Sequence, residues 1–223
     1  FHALDYNWFA TDFHIKLFKR NVFGECFGMY NPEVSKDEGD RKYCRTGWPM
    51  EYMEDTLTPY MNLKKRDLIL FPHRIAPEKQ VNIFQDLARY MPKYEFIVCQ
   101  DEELTKHEFH TLLGEAKMVF SANLQETLGI STCIEGPLTG ALPLAPDRLS
   151  YSEIFEGYAD FLYDSEWTTS YKSYDANKEL LCHHIDYLMN NYDDMRGKLD
   201  AYINRQMPKF FAADNLIEAL FNG

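Results

Sequence analysis

The 223-residue chain lacks a Cys-x-x-Cys pair, a phosphate-binding Gly-x-x-x-x-Gly-Lys-Ser/Thr loop and a nucleophile elbow. No apolar run approaches the ~20 residues that a membrane-spanning helix needs. These absences exclude a zinc ribbon, a P-loop nucleotide hydrolase, an α/β-hydrolase and a helical membrane protein. Cys26, Cys44, Cys99, Cys133 and Cys182 are scattered and odd in number, so no disulfide framework is expected. They read as free, mostly buried thiols of a cytoplasmic protein in a reducing compartment. Positive charge is also scarce. Lys and Arg total 23 against 35 Asp and Glu, a formal net charge of -12, which argues against a stand-alone nucleic-acid binder. Lys64-Lys65-Arg66 reads as a solvated face preceding a strand. The chain opens on Phe1-His2 without a signal-peptide pattern, so an internal start, as in a fragment or half of a longer polypeptide, is expected.

Aromatic residues make up 15% of the chain, so its core and any cleft should be rich in rings. Residues 1–60 are irregular. A short strand is expected over Tyr6–Thr11, a helix over Phe13–Lys19 capped by Asp12, loop over 30–49 and a short helix over Met50–Leu57. From residue 66 the pattern becomes regular. Apolar runs at Asp67–Phe71, Tyr94–Cys99, Lys117–Ser121, Ala141–Ala145 and Asp160–Tyr163 read as buried strands. Helices are expected between them at Glu78–Tyr90, Glu103–Gly114 (closed by Gly114), Gly129–Thr139 and Tyr151–Phe155. The tail reads as helices over Asn177–Asn191, Asp193–Gln206 and Asp214–Phe221. Alternation of this kind predicts an α/β fold: a doubly wound, Rossmann-like parallel sheet followed by C-terminal helices, with ligands at the carboxyl ends of its strands.

Three places at those strand ends can carry chemistry. The loop Phe71-Pro-His-Arg-Ile-Ala-Pro-Glu-Lys79 brings Arg74 and Lys79 to the sheet edge. Two fixed cations beside helix amides suit a diphosphate, or else pair with surface carboxylates. The loop Ser121-Ala-Asn-Leu-Gln-Glu126-Thr-Leu-Gly129 offers the amides of Thr127, Leu128 and Gly129 to phosphate or sugar oxygens. Glu126 there either accepts from sugar hydroxyls or complements the helix dipole. Glu135, inside the next helix, must find a partner: the two hydroxyls of a ribose, or an ion pair, with Arg74 as a candidate. His73 touches phosphates or makes a structural hydrogen bond. Cys99 edges a base pocket or is a buried thiol. Tyr151 and Glu153 line a sugar site or cap a short helix. His107 and His110 share a helix without a third ligand, so no metal site is expected. His183-His184 reads as surface.

Arg74-Ile-Ala-Pro-Glu-Lys79 and Glu126-Thr-Leu-Gly-Ile-Ser-Thr-Cys-Ile-Glu135, followed by Gly140 and Pro143, resemble the signature of retaining glycosyltransferases of the GT-B fold, the "group 1" family. That family carries Arg-x4-Lys after the first strand of its C-terminal domain, and a Glu-x7-Glu motif. Pro72-His73-Arg74 and the stretch from Leu144 to Phe155 resemble the branch that mannosylates queuosine in tRNA. The similarity covers roughly residues 6–165. It implies a hexosyl- or pentosyltransferase using a nucleoside-diphosphate sugar as donor substrate, with no further cofactor and no metal. Arg74 and Lys79 would offset charge on the leaving diphosphate, Glu126 with the 127–129 amides would orient the sugar, and Glu135 would hold the ribose. Residues 1–60 would be the end of an N-terminal acceptor domain and hinge, 61–200 the nucleotide-sugar-binding domain, and 201–223 a helix crossing back. An absent N-terminal half would bind the acceptor, a modified nucleobase in RNA or DNA on this resemblance. A nucleotide-sugar 2-epimerase and a non-catalytic nucleotide-binding module remain the alternatives.

One departure stands out. Eight residues, not seven, separate Glu126 from Glu135. The extra residue predicts a π-bulge or lengthened first turn within Ile130–Pro137 that returns both carboxylates to one cleft.

Overall fold

The computed structural model describes residues 7–23, 43–126 and 128–221. The chain divides into two compact units, Phe1–Glu51 with Met207–Gly223, and Tyr52–Gln206. In the first, β1 (Asn7–Phe9) pairs in parallel with β2 (Tyr43–Arg45). Phe18 of α1 (Asp12–Phe23) packs against Phe9 and Tyr43, with ring centroids 5.3 and 5.8 Å away. Thr11 rather than Asp12 caps this helix. Its hydroxyl accepts from the His14 amide at 3.3 Å, while Asp12 sits in the first turn, where a carboxylate complements the dipole. The expected loop over 30–49 contains β2, and its residues 30–42 lie outside the described residues.

The second unit follows the predicted rhythm: α2 (Tyr52–Leu57), β3 (Arg66–Phe71), α3 (Val81–Tyr90), β4 (Glu95–Val98), α4 (Lys106–Glu115) and β5 (Ala116–Phe120). A π turn over Ser131–Glu135 runs into α5 (Gly136–Thr139), then come β6 (Leu142–Pro146), α6 (Tyr151–Ile154), β7 (Leu162–Tyr163), α7 (Tyr171–Asn190) and α8 (Tyr192–Arg205). Two last helices, α9 (Pro208–Phe211) and α10 (Asp214–Phe221), belong to the first unit. There the amides of Trp48 and Met50 donate to the carbonyls of Phe210 and Phe211 at 2.7 and 2.8 Å.

All five strands of the large sheet are parallel, in the order β4-β3-β5-β6-β7. Leu68–Phe71 and all of β6 are buried, as expected for strands covered on both faces. Helix α3 presents Ile83, Phe84 and Leu87 to the sheet, and Phe84 meets Phe71 and Phe120 at 5.3 and 5.9 Å between ring centroids. The chain leaves β3 toward one edge of the sheet and leaves β5 toward the other. A crevice therefore opens between the carboxyl ends of these two strands, where such sheets bind ligands. No helix among the described residues is long and apolar enough to cross a membrane.

Three local expectations change. Gly114 does not end its helix, which runs on to Glu115. Its missing side chain instead makes room for the Tyr60 carbonyl, which a Cβ would meet at 2.6 Å. Lys65 is not a solvated neighbour of Lys64 and Arg66. Its ammonium donates to the carbonyls of Ala116 and Thr139, both at 2.8 Å, and burial with the nearby Arg196 lowers its pKa to about 7. Helix α7 starts at Tyr171 rather than Asn177, because the Ser170 side chain caps it by accepting from the Ser173 amide.

Candidate functional site

The loop after β3 is short and stiff. Pro77–Lys79 form a single 3-10 turn, and Gln80 follows in the left-handed region with φ 56°. That conformation is uncommon outside glycine. Here the Gln80 amide nitrogen holds it by donating to the carbonyls of Ala122 and Thr168 at 2.6 and 2.7 Å. The turn drives Lys79 inward, to 7% exposure. Its Nζ donates to Glu126 Oε2 at 2.7 Å and to the Gln125 carbonyl at 2.8 Å. Lys79 thus precedes α3 rather than opening it.

The loop after β5 is held from the far side by Arg148. That guanidinium donates to the carbonyls of Asn123, Ala122 and Ser165 at 2.8, 2.9 and 2.9 Å, and to Thr168 Oγ1 at 3.0 Å. Leu124 ties the two loops together through its amide, 2.8 Å from the Glu78 carbonyl. Asn123 Nδ2 donates to Glu126 Oε2 at 2.8 Å and to Tyr151 Oη at 3.1 Å, and Tyr151 Oη meets Ser121 Oγ at 3.1 Å. Glu126 is thus held by Lys79 and Asn123.

Arg74 stands apart. Its guanidinium pairs with Glu78 and its side chain is 72% exposed, so it lies at the solvent edge of the loop. Lys79 and Glu126 are brought together, while Arg74 meets Glu78, the residue before Lys79. His73 is buried at 8% exposure. Burial lowers its pKa to about 4, with further influence from Glu126, Lys79 and a hydrogen bond to the Phe120 backbone.

The extra residue before Glu135 is taken up as a π turn. The Gly136 amide donates to the Ser131 carbonyl, a five-residue step. Pro137 has no amide with which to continue the ladder, so the Cys133 carbonyl needs another donor. Tyr202 supplies it through Oη at 2.8 Å. Glu135 is 8% exposed, with Ser131 Oγ donating to Oε2 at 2.6 Å and His110 Nε2 lying 3.7 Å from Oε1. Its neighbours are Ser131 and His110, so the alternative of an ion pair with Arg74, which meets Glu78, does not form. His110 is 2% exposed on α4, and desolvation lowers its pKa.

Thr127 lies outside the described residues. Leu128 is buried at 4%, and Gly129 sits at φ +59° with its Cα against Tyr151, whose ring and hydroxyl a Cβ would meet at 2.7 Å. Gly129 is thus required by the turn and by Tyr151, and its carbonyl accepts from the Cys133 and Thr132 amides at 2.7 and 2.8 Å. Cys99 is a buried thiol, pushed up to about 12 by desolvation. Among the described residues no cluster of His, Cys, Asp and Glu is arranged to hold a metal ion.

Asn123, Gln80, Arg148 and Tyr163, whose hydroxyl donates to the Ser121 carbonyl at 2.9 Å, are parts of this site that the sequence reading did not single out. They come from four segments joined only by folding. The one legible signal was the pair of bulky polar residues, Gln80 and Arg148, beside loops that otherwise read as apolar or turn-like.

No protein-family model and no curated protein sequence matches the chain. Solved structures do. The pneumococcal O-GlcNAc transferase GtfA, in complex with UDP and GlcNAc, is similar at 16% identity and a TM-score of 0.62, covering 98% of this chain and 46% of its own. TarM is similar at 12% identity and a TM-score of 0.54, covering 81% of this chain and 37% of its own. The chain thus spans less than half the length of either, and the likeness is one of architecture: this is the α/β, Rossmann-type fold of GT-B glycosyltransferases.

Proposed function

We propose that the chain is the donor-binding part of a glycosyltransferase that uses a nucleoside-diphosphate sugar. The observation that carries this reading is the buried Lys79 ammonium, held by Glu126 and the Gln125 carbonyl at the switch point of the sheet. A cation poised there suits a diphosphate, and its partner carboxylate suits sugar hydroxyls. The GtfA complex with UDP and GlcNAc supports the ligand class.

In the reaction, the bond between the anomeric carbon and the diphosphate oxygen breaks, and an acceptor oxygen or carbon bonds to the sugar as its proton leaves. Negative charge grows on the departing diphosphate. Lys79 offsets it in a site shielded from water, where such an interaction contributes several kcal/mol, and Arg74 adds a second cation from the rim. Glu126 orients the sugar. Glu135, steadied by Ser131 and His110, receives the two ribose hydroxyls.

The resemblance of Pro72-His73-Arg74 and of Leu144–Phe155 to the queuosine branch supports a nucleobase acceptor, and that of Arg74–Lys79 and Glu126–Glu135 to the group 1 signature supports a retaining outcome. The acceptor surface, on this reading, lies outside Tyr52–Gln206. Calorimetric titration with UDP, GDP, ADP and CDP tests the donor reading. One of them binding in the micromolar range, weakened in Lys79→Met, is the expected result. No binding of any at millimolar concentration would overturn it.

A further inference from the structure

The network around Glu126 leaves two hydrogen-bond acceptors over. Asn123 is fully buried, and its amide orientation is settled by chemistry, because only the NH2 end can face Glu126 Oε2 at 2.8 Å. The same nitrogen serves Tyr151 Oη. That leaves the amide oxygen, which is buried with no hydrogen-bond partner among the described residues. His73 repeats the pattern. Its Nε2 is buried without a hydrogen-bond partner among the described residues. A neutral imidazole accepts through the ring nitrogen that carries no proton. Burial holds His73 neutral, since it titrates at about 4.

Unpartnered buried acceptors are rare in folded proteins and call for an explanation. Both of these lie in the Lys79–Glu126 neighbourhood: Asn123 touches Glu126 directly, and His73 feels the charges of both residues. We propose that His73 and Asn123 select the sugar of the donor. With Glu126 they add acceptors to a lining that favours a neutral ring bearing hydroxyl or amide donors over an acidic one. This rests on the reading of the chain as a nucleotide-sugar-binding unit. Neither atom is open to solvent, so a ring that reaches them must displace what covers them. The Lys79–Glu126 contact is the one a donor breaks, because the diphosphate draws the ammonium while the sugar draws the carboxylate. With the Lys79 ammonium drawn to the diphosphate, an anionic sugar faces the Glu126 carboxylate and these lone pairs. A hydroxyl satisfies an atom that is otherwise left bare.

The test is calorimetric. The nucleoside diphosphate that binds best among UDP, GDP, ADP and CDP is compared with its glucose, N-acetylglucosamine and glucuronic acid conjugates. The wild-type chain should bind a neutral conjugate at least about tenfold more tightly than the glucuronic acid conjugate. His73→Phe and Asn123→Leu should each lower the affinity for the neutral conjugate by about tenfold or more, and by a larger factor than for the bare diphosphate. His73→Gln, which returns an acceptor, should recover most of the discrimination; circular dichroism on each variant reports folding. Equal losses for diphosphate and conjugate, or a glucuronic acid conjugate that binds as well as the neutral ones, would overturn the assignment of these two residues while leaving the donor reading in place. A wild-type chain that binds no nucleoside diphosphate would overturn both.

Discussion

Lys79 and Arg74 lie five positions apart in one loop, yet their surroundings make them unequal. The Lys79 ammonium is shielded, and its pairing with Glu126 acts in a low-dielectric site. Arg74 meets Glu78 at the solvent edge, where an ion pair contributes at most about 1 kcal/mol. Lys79→Met should therefore weaken nucleoside-diphosphate binding by roughly thirtyfold or more, about 2 kcal/mol. It should also destabilise the fold, because Glu126 loses its cation. Arg74→Ala should leave stability within about 0.5 kcal/mol and cost less affinity. Titration calorimetry and urea denaturation decide the order, and a larger loss from Arg74→Ala would contradict it. His73 gives a pH signature. Its folded pKa is depressed to about 4 from the ordinary histidine value, so the unfolded chain takes up the proton first as pH falls. Stability contributed by neutral His73 is complete above about pH 6.5 and declines toward pH 4, by at most about 1.4 kcal/mol per unit. Denaturation midpoints measured across that window should fall less steeply in His73→Asn.

At the scale of elements, the turn between β5 and α5 shows how one inserted residue is accommodated. A regular α-helix over Gly129–Thr139 would rotate Glu135 by about 100° relative to its place in the π turn. The wider turn avoids this, and Tyr202 on α8 satisfies the carbonyl that Pro137 leaves without a donor. The spacing of the two glutamates and the position of Pro137 made this turn foreseeable, since both are local facts. The partner of Glu135 was not foreseeable, because His110 arrives from α4, in a different strand-helix unit. Gly129 connects this element to the site. Gly129→Ala would force a side chain into the left-handed region and against the Tyr151 ring. It should lower stability by about 1–3 kcal/mol and loosen Tyr151 from Asn123, so that affinity for a nucleotide sugar falls as well. Thermal unfolding and the same titrations read both effects. An unchanged melting temperature would show that the turn can relax.

For the whole molecule, the large sheet and every residue of the candidate site lie within Tyr52–Gln206. The 52–206 segment expressed alone should unfold in a single cooperative transition. It should bind a nucleoside diphosphate within about threefold of the full chain, because no donor-binding group is removed. Loss of binding would place a needed group in residues 1–51 or 207–223. The net charge of -12 belongs to this scale too. A surface so acidic repels a polyanion, so a nucleic-acid acceptor would need a basic surface that this net charge does not supply.

The sequence by itself determined the rhythm of strands and helices, the parallel sheet, and the loops where ligands belong. Runs such as Leu68–Phe71 and the motif spacings from Arg74 to Lys79 are local, and their physics is that of burial and periodicity. Only the tertiary structure decided that Lys79 turns inward onto Glu126 while Arg74 turns out. It alone showed Lys65 reaching two distant carbonyls, and Asn123 spending both its donations and keeping an acceptor free. Side-chain direction depends on what packs from other segments. Gln80, Arg148 and Tyr151 reach the Ala122–Asn123 loop from other segments, as His110 reaches Glu135.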